Sequence, residues 1–142
     1  MIGTGRIFVD TAPFVYLVEN HPDYYPLVSS FISSKIAISE FSLVTSVITL
    51  AEFEVNPKRN NQLIVIEKFR SKLKELDFLI AEITLDIAEL SSDLRTKYPY
   101  LKLFDALQLA TAINVKCQSF LTNDLRLKQI KEIDVILIEE LK

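Results

Sequence analysis

The stretch Tyr100–Asp124, YLKLFDALQLATAINVKCQSFLTND, contains one complete helix-to-strand unit. Its first half is a nearly continuous run of apolar and small residues, which predicts a helix over Leu103–Val115. Ser119-Phe120-Leu121-Thr122 then reads as a buried strand, and the pair Asn123-Asp124 as a turn or a helix cap. A single carboxylate, Asp105, stands near the start of this apolar helix. An unpaired buried charge is costly, so Asp105 needs a partner: the helix dipole, a basic side chain or a metal ion.

Outward from this unit the same alternation recurs. Ile7-Phe8-Val9 is a short apolar run stopped by Asp10, and Pro13 suits the first turn of a helix carrying Phe14, Leu17 and Val18. A second helix is expected from about Asp23 to Ser33. Leu43-Val44-Thr45 reads as a strand, and Ile48, Ala51, Phe53 and Val55 as a helix that ends before Pro57. Apolar residues from Asn60 to Leu76 recur at helical intervals. Phe78–Ala81 reads as a strand, and Ile87, Leu90 and Leu94 mark another helix before Pro99. Val135–Ile138 reads as the last strand. Strands alternating with helices imply a mainly parallel sheet of about four to five strands covered on both faces. With no repeat, low-complexity tract or linker, residues 1–142 read as one α/β domain.

The composition narrows the classes further. Hydrophobic residues make up 49% of the 142, interrupted by only two glycines and five prolines, which fits a packed globule rather than disorder. The net charge of -3 gives no overall basic field for nucleic acid, although a local basic surface remains compatible with it. A single cysteine, Cys117, excludes an internal disulfide and suits a reducing compartment. MIGTGRIFVD lacks the pattern of a signal peptide, and no apolar run has a membrane span's length. A cytoplasmic, soluble protein is expected.

In open parallel sheets, ligands bind beyond the carboxyl ends of the strands. Asp10 ends IFVD, Asp124 follows FLTN, Glu52 lies on the helix after LVTS, and Asp105 opens its own helix. Four carboxylates from distant segments are thus expected at one edge. Clustered carboxylates repel, and a cation relieves them; oxygen-only ligands select hard divalent ions such as Mg²⁺ or Mn²⁺. Each acid also has a plainer role. Asp10 can start a turn, Glu52 can close a capping box with Thr49, Asp124 can cap a short helix beginning at Leu125, and Asp105 can complement its helix dipole.

The segments IFVDTAPFVYLVE, SVITLAEFE, FDALQLATA and FLTNDLRL, in this order, resemble the PIN-domain ribonucleases, and in particular VapC-like toxins of prokaryotic toxin–antitoxin pairs. The resemblance covers essentially the whole chain. It implies a PIN-like α/β/α sandwich and a Mg²⁺- or Mn²⁺-dependent endoribonuclease, with Asp10, Glu52, Asp105 and Asp124 as catalytic and metal-binding acids. Asp10 and Asp105 are the direct ligands in that picture, and Thr11, Thr122 and Asn123 lie near the metal. It also implies an RNA substrate, a cognate antitoxin and a homodimer, with no membrane partner.

Between Lys58 and Lys74 six basic residues face one acid, Glu67, so Lys68, Arg70 and Lys72 are candidate RNA-phosphate contacts, or simply a solvated helix face. Tyr24 and Tyr25 can stack bases, support a dimer or, more commonly, pack at the core edge. His21 reads as a loop residue beside Pro22, and Cys117, without companions, as a small core residue rather than a zinc ligand. Two other functions compete. An aspartate-based phosphotransfer domain needs paired acids early in the chain, and Asp10 has no neighbouring acid. Four intact acids argue against an RNA-binding PIN-like scaffold without catalysis, which only a cleavage assay excludes. The resemblance also leaves open a PIN-like RNA-processing protein without a toxin role.

Overall fold

The computed structural model describes residues 5–38 and 41–142. Five strands, β1 (Gly5–Val9), β2 (Phe41–Ser46), β3 (Leu79–Ala81), β4 (Ser119–Thr122) and β5 (Asp134–Leu137), form one sheet in the order β3-β2-β1-β4-β5. Every neighbouring pair is parallel, with Ile7 opposite both Leu43 and Ser119. The chain grows outward from β1 through β2 to β3, then crosses to the other side of β1 to add β4 and β5. The reversal lies between β1 and β4, so the crevice that such sheets use for ligands opens beyond Val9 and Thr122.

Alternation along the strands splits the core in two. Phe8, Val44, Phe120 and Val135 pack beneath α6 (Leu85–Lys97) and α7 (Leu103–Asn114). Ile7, Val9, Leu43 and Leu121 face the opposite layer: α1 (Thr11–Val18), α2 (Tyr25–Ile38), α3 (Val47–Phe53) and α5 (Leu63–Glu75). The Phe8 and Phe120 rings stack 5.1 Å apart across the switch between β1 and β4. Ala106, Ala110 and Ala112 are fully buried, and their small side chains let α7 lie close against the sheet.

The expected elements are present, with some bounds corrected. The second helix runs on to Ile38 rather than stopping at Ser33, since no proline or glycine interrupts SKIAI. The helix expected to end before Pro57 instead breaks at Glu54 and restarts as α4 (Val55–Arg59). Pro57 sits in the first turn of α4, where its missing N–H costs no helical hydrogen bond. Glu54 stabilises the break. Its largely buried carboxylate accepts two hydrogen bonds from Arg70 at 2.9 and 3.0 Å and pairs with Lys58 at 3.2 Å.

Past the end of α7, Lys116 adopts φ 64°, and the Cys117 N–H reaches back to the Ala112 carbonyl at 2.8 Å. This is a left-handed closure that glycine adopts without Cβ strain. Lys116→Gly is therefore expected to stabilise the fold by up to about 1 kcal/mol, the left-handed strain relieved less the extra backbone entropy of glycine. Urea denaturation of the two proteins measures it.

Candidate active site

All four acids singled out in the sequence line one open cavity of about 610 Å³ at the carboxyl edge of the sheet, together with Thr11, Thr122, Asn123 and Arg126. Each arrives by a different route. Asp10 directly follows central strand β1 and caps α1, its Oδ1 accepting from the Thr11 N–H at 2.8 Å. Glu52 lies in the last turn of α3 and accepts from the Thr11 hydroxyl at 2.6 Å. Asp105 is in the first turn of α7, where the helix dipole favours a negative charge. Asp124 follows β4 and caps the 3-10 turn Leu125–Gln129, accepting from the Arg126 N–H at 3.0 Å.

The plainer roles are thus partly realised: Asp10 and Asp124 do cap, while keeping their carboxylates on the cavity. The capping box between Thr49 and Glu52 does not form. Ser46 caps α3 by accepting from the Ile48 N–H, and Thr49 is turned inward.

Beneath the acids lies a buried polar network that sequence reading missed. Gln108, one turn after Asp105, is 2% exposed. Its Nε2 donates to the Thr49 hydroxyl at 2.8 Å and lies 3.5 Å from Asp10 Oδ1, and its Oε1 accepts from Ser46. The Thr45 and Thr49 hydroxyls are hydrogen-bonded at 2.7 Å, and Thr45 also reaches the Val9 carbonyl at 2.8 Å. Thr122 donates to Asp10 Oδ2 at 2.8 Å. Five elements, β1, β2, β4, α3 and α7, are thereby tied together below the carboxylates. The one signal in the sequence was a glutamine inside an otherwise apolar helix.

Electrostatics mark the cavity as short of positive charge. Burial, helped by the neighbouring Asp105 and Glu52, pushes the Asp10 carboxyl up to about 6 against the bonds from Thr11 and Thr122. Burial, followed by the charge of Asp124, also raises Asp105. Asp124 is instead held below the usual carboxylate range by its hydrogen bonds with Arg126. The donor set is all oxygen and suits a hard divalent cation, and the raised carboxyls are those a cation would relieve. As the side chains lie, no three acids among the described residues group closely enough to hold one ion. Asp10 is turned onto Thr11 and Thr122, and Asp124 onto Arg126.

The remaining candidates lie elsewhere. Lys68, Arg70 and Lys72 of α5 do not line the acid cavity. Arg70 pairs with Glu54, and Lys72 with Glu75 at 3.6 Å. His21 Nδ1 accepts from the Asp23 and Tyr24 N–H groups, and its ring packs on Tyr16 and Tyr24. Cys117 is partly buried against the α7 core, and burial pushes its thiol up to about 12. Among the described residues no helix is long and apolar enough to cross a membrane.

A five-stranded parallel sheet between helical layers is consistent with the PIN-like α/β/α fold. The sequence pattern of the PIN domain matches residues 7–133, and the chain belongs to the PIN-domain family. Solved structures agree in fold. VapBC2 from Rickettsia felis, bound to a DNA fragment from its promoter, superposes with TM-score 0.76 at 19% identity, over 93% of this chain and 98% of that one. A toxin–antitoxin complex from Klebsiella pneumoniae gives TM-score 0.66 at 27% identity, over 93% and 97%. The sarcin–ricin-loop-cleaving toxin VapC20 of Mycobacterium tuberculosis gives 0.66 at 17%, over 89% and 98%. A search of curated proteins found no significant match.

Proposed function

We propose that this protein is a divalent-metal-dependent endoribonuclease and the toxin of a toxin–antitoxin pair. The observation that carries the reading is the gathering of Asp10, Glu52, Asp105 and Asp124, from four elements, around one cavity at the switch point of a PIN-domain sheet. The structural neighbours that are toxin–antitoxin complexes, and the one that cleaves the sarcin–ricin loop, support the biological half.

In this reading Asp10 and Asp105 are direct ligands of Mg²⁺ or Mn²⁺, with Glu52 and Asp124 completing the acid set. When bound, the ion polarises the scissile phosphate and lowers the pKa of an attacking water. The protein's own contribution is placement. Thr122 and the Thr11 N–H fix the Asp10 carboxylate, and Gln108 ties α7 to α3, the two helices that bring Asp105 and Glu52 to the cavity. Glu52, anchored by the Thr11 hydroxyl, is positioned to accept a proton from water. The partners implied are an RNA substrate, an antitoxin that covers the cavity, and a second copy of the chain.

Cleavage of structured and single-stranded RNA with Mn²⁺ or Mg²⁺, with chelator, and by Asp105→Asn tests it. Loss of a direct ligand is expected to exceed the roughly 10- to 100-fold loss typical of outer-shell partners. Cleavage that survives both chelation and the substitution would exclude a metal nuclease.

A further inference from the structure

Arg126 is the only basic side chain lining the acid cavity among the described residues. It does more than end the turn at Asp124. Its Nε and Nη2 grip Asp124 at 3.0 and 2.6 Å, and Nη2 lies 3.9 Å from Asp105 Oδ2. One guanidinium therefore spans two of the four acids. Its backbone is anchored, because the Tyr100 hydroxyl donates to the Arg126 carbonyl at 3.2 Å, while its side chain remains about half exposed. A planar fork matches carboxylate geometry, yet an exposed ion pair of this kind is weak and readily exchanged. The arrangement is a fixed base carrying a displaceable cation where a divalent ion would also be attracted.

From this geometry we infer that Arg126 is a resident counter-cation of the metal-free site: it neutralises Asp105 and Asp124, competes with the divalent ion for them, and is turned outward when the ion binds. The inference rests on the metal-nuclease reading above. Arg126 acts here as a positioning residue, through Asp124 and Asp105. Asp124 lines the same cavity as the other acids, and its carboxylate oxygens are engaged by Arg126. The bidentate grip aims its oxygens at the guanidinium.

The test is Mn²⁺ binding by calorimetry, with thermal melts in the absence and presence of Mn²⁺, on the full chain as wild type, Arg126→Gln and Arg126→Lys. Removing a competing charge of the same sign should lower the Mn²⁺ Kd of Arg126→Gln by roughly three- to tenfold. The metal-free variant should melt below wild type, because Asp105 and Asp124 are left repelling, yet gain more from added Mn²⁺. Arg126→Lys, which keeps the charge without the fork, should fall between the two. A purely structural cap would lower both melts together and leave the Kd unchanged, which overturns the inference. So does weaker Mn²⁺ binding by Arg126→Gln, because it would make Arg126 a helper of the ion; the nuclease reading survives either result. Absence of Mn²⁺ binding by the wild type removes both.

Discussion

Asp10→Asn is expected to raise the stability of the metal-free protein at pH 7 while abolishing its response to Mn²⁺. The carboxyl of Asp10 is raised from 3.8 to about 6, chiefly by burial and then by the charges of Asp105 and Glu52. A folded-state value above the unfolded one means that the native state holds the proton more tightly. The stabilisation from that proton is complete below pH 3.8 and is lost as pH rises through about 6, so at pH 7 the ionised carboxylate is a full liability. Each unit is worth about 1.4 kcal/mol, and the upper bound of about 3 kcal/mol falls to roughly 1–2 kcal/mol because Asp10 keeps some contact with solvent. Asparagine keeps an oxygen for the Thr11 N–H. At Thr122 the bond must reverse, the amide donating to a hydroxyl that loses the acceptor of its own proton, which offsets part of the gain. The variant should melt several degrees above wild type at pH 7 and converge with it near pH 4. Asp124 and Glu54 are shifted downward and give the opposite slope, but both proteins share them, so the difference between the two melting curves reports the Asp10 charge together with its repulsion by Asp105 and Glu52. A variant less stable than wild type at pH 7 in chelator would mean that the Asp10 charge is compensated within the fold, and the case for a cation there would weaken.

The layered parallel fold was legible because its signals are local. Ile7–Val9 and Ser119–Thr122 are short apolar runs ended by polar residues, and both are strands. The small face of DALQLATA was legible for the same reason, as three alanines at close spacing reveal a helix lying against a sheet. The convergence of the four acids on one cavity was legible from topology, since parallel strands deliver the residues after them to one edge. What stayed hidden depends on partners distant in sequence. A glutamine on a helix reads as a solvated residue until Ser46 and Thr49 are brought beneath it. Thr49 and Glu52 have capping-box spacing, but the chain already begins that helix at Ser46. Pro57 was read as a stop because the break at Glu54, fixed by Arg70 of a different helix, cannot be seen locally. The basic run in α5 looked like one positive face, yet part of its charge is taken up by Glu54 and Glu75.

Gln108→Leu has a large expected effect of the opposite sign. The shape is nearly conserved, so the cost comes from polarity rather than volume. Ser46 loses the acceptor of its hydroxyl, Thr49 loses the amide donor, and both side chains are fully buried. A buried hydroxyl left without a partner costs about 1–3 kcal/mol, and bonds retained to the Ile48 N–H and to Thr45 soften the loss. A net destabilisation of roughly 2–3 kcal/mol follows, measurable as a lower urea midpoint at unchanged slope. The same substitution removes the link that holds α7, and with it Asp105, against α3 and Glu52. Mn²⁺ affinity should therefore fall even though no acid has been touched, by an amount in the roughly 10- to 100-fold range of lost supporting contacts. Gln108→Glu separates the two effects. It keeps an acceptor for Ser46 but adds a fifth carboxylate near Asp10, so its metal-free form should be the least stable and should gain the most from Mn²⁺. If Gln108→Leu is destabilised but binds Mn²⁺ as wild type does, the network serves the fold alone, and the spacing of Asp105 and Glu52 is set by the packing of the alanine face of α7 against the sheet.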